Sequence, residues 1–474
     1  MYRKADREQL TIEDFAMPFG GKLQADNRWV QIANLMPWEM IEDIYASSFK
    51  NDNTEGRPPI SSRMAFGSLY IKENENFPDG RTLAHIAENA YMQYFLGLKE
   101  FHPEPLFDPS MMTWFRKRFT AADIGKINEE LYRRTHPPKD EPPGDGSGGG
   151  NKGTLVLDAT VAPSDVRYPT DISLLNECRE NTEEMIDKIW DKTKRRGHKT
   201  AYSRKRAHKR YLKLAKRRRP SKKQIQQGVR EQLEYVEKNL DTLGTLINEA
   251  GADALTARQT ARLETIRKVA EQQKAHLANP KAPIPDRIVS LRQPHVRPIV
   301  RGKAGTPVEF GQKLAFSVVD GYTFIDVQSW DNFAEGITLQ ASAKKYQQRC
   351  GVYPEAILAD QTYRNRDNLA FCKKNGIRLS GPRLGRPKPE ELEANKQQAY
   401  QDSCDRNIVE SRNGIVKRRY GLDRIMAWLP CTGETEAAMN VLCMNVAHLL
   451  RTFLRWLRHQ WLAWAHLWAA VLAV

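Results

Sequence analysis

Three carboxylates, Asp158, Asp360 and Glu410, are the residues of this chain whose type and spacing could do chemistry. Asp158 follows a short apolar run of β type (154–157) in "TLVLDAT", and Asp360 follows a similar run (355–359) in "EAILADQTY". Glu410 lies in "DRNIVESRNGIVKRRYGL" (405–422), a helical pattern in which Arg406, Glu410 and Lys417 fall at i−4, i and i+7. Those three share one helix face. Acids converging from separate elements suit hard divalent cations, which take oxygen ligands and, in pairs, support phosphoryl transfer. Two Mg²⁺ ions are the expected cofactor, with Mn²⁺ able to substitute. The three acids would hold them. Arg406 and Lys417 would hold a phosphate backbone beside the reacting bond, since Arg suits bidentate phosphate contact. Taken alone, an Asp after a strand is ordinarily a turn residue or a cap. The joint pattern carries the reading, and Asp165, Asp171, Asp320 and Asp405 lack a matching context.

The elements that must position these acids read as β then α from residue 153, with one large interruption. Two strands, "VEFGQKLAFSVVD" (308–320) and "TFIDVQSW" (323–330), a helix over 335–350, the Asp360 strand and the Glu410 helix follow in order. A further strand is expected at "DRIVSL" (286–291). Asp158 and Asp360 are 202 residues apart because about 110 residues of helical sequence intervene. Within that insertion (175–285), Ile225, Val229, Leu233, Val236, Leu240, Leu243 and Ile247 form a heptad-like stripe. A second helical stretch carries Leu263, Ile266, Val269 and Leu277, so an antiparallel helical hairpin is expected.

Residues 1–136 read as several short helices. The last basic one, "DPSMMTWFRKRF" (108–119), is expected to project Arg116, Lys117 and Arg118, as suits a helix-turn-helix-like DNA binder. "PPKDEPPGDGSGGGNKG" (137–153) is a flexible linker by composition. The end, "WLAWAHLWAAVLAV" (461–474), is too short to span a bilayer, and a packed Trp-rich helix over 453–474 is expected instead.

The chain carries 74 Lys+Arg against 58 Asp+Glu, a net charge of +16. Residues 192–223 hold 17 Lys/Arg and no acid, so the rest of the chain is at −1. The basicity is one local device. Its Arg217, Arg218 and Arg219 are expected to lie along DNA phosphates, adding affinity without reading sequence. Six Cys without paired spacing read as reduced thiols. No HExxH, Cys/His cluster or Ser/His/Asp order occurs, and "GDGSGGG" is not a P-loop.

The spacing Arg-(3)-Glu-(6)-Lys resembles the core of the Tyr-(2)-Arg-(3)-Glu-(6)-Lys motif of bacterial insertion-sequence DDE transposases. The chain is similar to the family-five branch of that group. The likeness extends to "RPPISSRMAFGSLYI" (57–71), "RYPTDISLL" (167–175), "RPIVRGKAGTPVEFGQKLAFSVVDGY" (297–322) and "SGPRLGRP" (380–387). One departure is that Ser403 stands at the motif's tyrosine, with Tyr400 three residues early. The resemblance implies an α/β fold: an RNase H-like catalytic domain (154–452) with the inserted basic hairpin, preceded by the all-α domain. It implies metal-dependent cleavage of transposon ends and transfer into target DNA. Double-stranded DNA would be the partner, bound by a homodimer or higher oligomer in the bacterial cytoplasm at the nucleoid, with no membrane partner. The alternative is a catalytically inactive, transposase-derived DNA-binding protein or repressor.

Overall fold

The computed structural model describes residues 11–49, 59–136, 150–192, 203–301, 307–382 and 392–472. The described N-terminal residues form α1 (Arg28–Leu35), α2 (Trp38–Ser47), α3 (Ser62–Glu75), α4 (Asp79–Glu88), α5 (Ala90–Phe95), α6 (Met111–Arg118) and α7 (Ala121–Thr135). Local chemistry sets their ends. Ser61 accepts from the Met64 amide to start α3, and Asn76, left-handed at φ 53°, ends it. Thr120 and Asp123 form a capping box at the start of α7.

The chain continues as β1 (Thr154–Pro163), α8 (Asp171–Lys192), α9 (Arg204–Ala215), α10 (Lys222–Ala250), α11 (Ala257–Ala278), β2 (Arg297–Val300), β3 (Val308–Val319) and β4 (Tyr322–Ser329). It ends with α12 (Leu339–Cys350), β5 (Ala356–Leu358), α13 (Arg366–Lys374), β6 (Arg378–Leu379), α14 (Leu392–Tyr420) and α15 (Pro430–Leu472). The fold is α/β. The sheet runs β2-β3-β1-β5-β6, with β4 paired to β3. β1–β5 and β5–β6 are parallel, and β3–β4 is antiparallel. Asp320 and Gly321, with φ of 50° and 82°, close the β3–β4 hairpin in two residues. Both central residues at positive φ are what the right-handed twist of a tight hairpin demands.

The expected strand at 286–291 is absent: 287–290 is irregular. Ile288 and Leu291 are buried in a helical core, and the Ile288 amide donates to the Gln272 side chain instead of to a ladder. A six-residue stretch with three apolar positions cannot by itself distinguish these outcomes.

Contacts divide the chain into two units. One comprises 1–164, 312–329 and 333–474, and the other 165–311 and 330–332. In the first, the N-terminal helices share a single core with the sheet rather than forming a body apart. The core runs from Trp29, Phe66 and Phe95 through Leu155 and Phe316 to Leu442 and Met444. Helix α15 supplies the shared surface, burying Ala437, Met439, Val441, Leu442, Cys443, Met444 and Val446. A buried amide relay ties α7, β4 and α15. Asn445 Nδ2 donates to Asn128 Oδ1 (2.8 Å) and to Thr323 O (2.7 Å), and the Thr323 amide donates back to Asn445 Oδ1 (3.0 Å). The linker stretch 137–149 lies outside the described residues. The expected terminal helix is not separate either, because α15 is continuous from 430 to 472. Its stretch Pro430–Arg455 is long and apolar enough to pass for a membrane span, yet 61% of its most apolar part is buried in protein.

The second unit is built on α8–α11, so the expected hairpin is part of a larger helical body. Capping boxes Ser221–Gln224 and Thr256–Gln259 start α10 and α11. The stripe Val229, Leu233, Val236 and Leu243 packs into a core with Leu175, Met185, Ile186 and Ile189 of α8 and with Leu263 and Ile266 of α11. Arg179 is buried in it and compensated by Glu183 at 2.7 and 2.8 Å and by Asn176 at 2.8 Å.

Candidate active site

β1 does not stop at Asp158. It runs on to Pro163, and Asp158 is the partly exposed position inside an otherwise buried stretch. Its neighbour β5 does stop, at Leu358. The register pairs Val156 with Leu358, so two residues further on Asp158 and Asp360 stand at the same level. Because side chains alternate along a strand, Asp158 is on the face of Val156. That face is covered by α14: Val409 packs with Val156, Leu358, Ala356 and Val318. Glu410 follows Val409 directly, and the helix thereby brings its chemical face to the end of β5.

Arg406 lies between two of the acids, its guanidinium 3.9 Å from Asp360 Oδ1 and 4.0 Å from Glu410 Oε1. Asp360 is 52% and Glu410 65% exposed. Asp360 also accepts from the Gln361 amide (2.6 Å), capping the short 3₁₀ turn Gln361–Tyr363. Tyr363 is buried behind it, and burial, then the charge of Glu335, raises its phenol well above the usual range. Lys417 is half-buried on the same helix. The side chains as they stand do not close on one point: among the described residues, no three His, Cys, Asp or Glu are grouped to hold a metal. Ser403 and Tyr400 are both exposed, Tyr400 strongly.

Two residues here escape a reading of the motif alone. Asn413 Nδ2 donates to Asp158 Oδ2 at 2.7 Å. Its position, i+7 from Arg406 and i+3 from Glu410, was the available signal. Arg412 is buried and donates to His448 Nδ1 at 2.9 Å, latching α14 to α15. No local pattern announces that pair.

The basic residues divide. Arg116 was expected to face DNA but is only 8% exposed and grips Asp79 bidentately, at 3.0 and 2.6 Å. Arg118 lies over Phe49 at 3.6 Å and donates to Ser48 O. A short amphipathic helix turns two of three consecutive cations toward its own core side, so both expectations are corrected. Lys117 alone of the three is exposed, above the ring of Trp114, which is itself 56% exposed. Arg217, Arg218 and Arg219 are exposed in the turn between α9 and α10. Residues 193–202 of the basic run lie outside the described residues. A cavity of about 480 Å³ among α7, β4, α12 and α15 is lined by Glu129, Asp326 and Arg349, and by none of the three acids.

Residues 357–447 match the family described as "Transposase DDE domain", and residues 18–118 match "Transposase domain (DUF772)". The chain is 26% identical over 148 residues to the "Uncharacterized protein ORF8 in nfe locus" of Rhizobium meliloti. That match covers 31% of this chain and 66% of the other protein. No solved structure matches the chain.

Proposed function

Because the chain belongs to the insertion-sequence DDE transposases, we propose that it binds the ends of its element, cleaves them at Asp158, Asp360 and Glu410, and joins them to target DNA. The observation that carries this reading is the Val156–Leu358 register of the parallel strands β1 and β5, which sets Asp158 on β1 level with Asp360 just past the end of β5, beneath the helix that bears Glu410. The order of elements supports it too: strand-Asp, insertion, hairpin strands, helix, strand-Asp, helix-Glu is the order expected of an RNase H-like sheet.

The donor set fits a hard divalent cation, since all three acids offer carboxylate oxygen. Asp158, Asp360 and Glu410 would hold Mg²⁺ or Mn²⁺, and the exposure of the last two leaves them room to turn toward it. When bound, two such ions activate water or a 3′-OH and stabilise the leaving oxygen. Arg406 offsets part of the charge of Asp360 and Glu410 and is positioned to pass to a DNA phosphate. Lys417 adds a second cation on the same face. Lys117 with Trp114, and Arg217–Arg219, are the DNA contacts proposed outside the site.

The test is incubation with a supercoiled plasmid carrying the element's own ends, in Mg²⁺ or EDTA. Asp158→Ala, Asp360→Ala and Glu410→Ala should each abolish cleavage while leaving end binding nearly intact. Any one of them cutting at near wild-type rate would show that residue to be misassigned.

A further inference from the structure

We propose that Asn413 is the positioning residue for Asp158, holding its carboxylate in the orientation that metal binding needs. The inference rests on the assignment of the three acids above. Arg406 reaches Asp360 and Glu410, and Asp158 is tied to the same helix by Asn413 instead. Residues 406, 410, 413 and 417 are spaced 4, 3 and 4, so Asn413 sits inside the chemical face of α14. It also borders the buried stripe Val409 and Val416, which fixes its height above the sheet.

The chemistry of the contact has one sense. An ionised carboxylate only accepts, so the amide must present its NH₂ group to Asp158. The other end of the amide is committed nowhere, because Asn413 Oδ1 is buried and meets no hydrogen-bond partner. The single bond it makes is the one to the acid.

Outer-shell partners of metal ligands characteristically change metal affinity or activity about 10–100-fold when removed. The full-length protein, bound to a duplex carrying the element's end, is titrated with Mn²⁺ and followed by electron paramagnetic resonance. Asn413→Leu keeps the branching at Cγ and removes the donor, and Asn413→Ala removes both. Each should weaken Mn²⁺ binding by about tenfold or more. Each should raise the Mg²⁺ needed for half-maximal cleavage by a similar factor, with end binding unchanged. Asn413→His, whose Nδ1 lies as many bonds from Cα as the amide nitrogen, should recover most of the loss. Wild-type Mn²⁺ affinity in the Leu and Ala variants overturns the proposal. So does loss of folding or of end binding in both, which would make the residue structural. Asp158→Asn and Glu410→Gln are measured alongside. If these bind Mn²⁺ and cut like the wild type, the assignment of the acids has failed, whatever Asn413 does.

Discussion

At the scale of residues, three neighbouring cations on α6 have different fates, and substitution should separate them. Arg116, itself buried, is paired at 2.6 Å with Asp79, whose side chain is 26% exposed. Removing one partner of such a pair leaves the other charge uncompensated, so Arg116→Ala should cost about 3 kcal/mol in denaturant unfolding. Lys117 is exposed. Lys117→Ala should leave stability within about 0.5 kcal/mol while shallowing the dependence of log affinity on log salt by about 0.9. Equal stability of the two variants would mean that the Arg116–Asp79 pair is not holding the fold. An unchanged salt slope for Lys117→Ala would remove α6 from the DNA path. The three acids stand out as candidates in the sequence because a carboxylate after an apolar run, and a Glu flanked by cations at helical spacing, are local patterns. Asn413 was not, because its partner lies 255 residues away.

At the scale of elements, α14 must keep its register over the end of β5, and the Arg412–His448 contact helps to hold it. Arg412 can only donate, so His448 Nδ1 must offer a lone pair and the ring stays neutral in the fold. Burial, then the charge of Arg412, lowers the His448 pKa from 6.5 to about 4. The sign follows: the unfolded chain takes up a proton between these values and the folded chain does not. This contribution to stability is complete above pH 6.5 and is lost as pH falls toward about 4. Unfolding free energy should therefore decline on acidification, by at most about 1.4 kcal/mol per pH unit from this group. His448→Gln should flatten that slope, and a slope identical to the wild type would exclude His448 as its source. A second element-scale prediction concerns the turn between α9 and α10. Neutralising Arg217, Arg218, Arg219, Lys222 and Lys223 should weaken binding to element ends and to random DNA nearly equally, with a shallower salt slope. The helical core should survive, because all five side chains are exposed and the stripe from Val229 to Leu243 is untouched. An unchanged slope on both DNAs would leave the run a solvated face.

At the scale of the whole molecule, the linker composition of 137–153 suggested that what precedes it is a body apart, whereas contacts join the helices before it to the sheet and α15 after it. A protease site placed in 137–149 should be cut readily, since Gly/Pro-rich chain is the preferred place for nicking. The two fragments should nevertheless co-elute in gel filtration, because α15 buries its apolar face against α3, α6 and α7. Fragments that separate without denaturant would restore an independent N-terminal domain.

What the sequence determined by itself was what near neighbours along the chain decide. The helical and strand periods, the neighbouring strands within 308–330, the local setting of each acid and the single basic run all depend on residues a few positions apart. Only the tertiary structure decided which apolar faces meet. It continued β1 past Asp158, left 287–290 without a ladder, and turned Arg116 inward to Asp79. It also merged the N-terminal helices with the sheet through α15. The physical reason is common to all four. Burial is non-directional, so an apolar stripe specifies that it must be covered but not by what. The choice of cover then fixes which polar side chains, Asn413 among them, are brought against the acids.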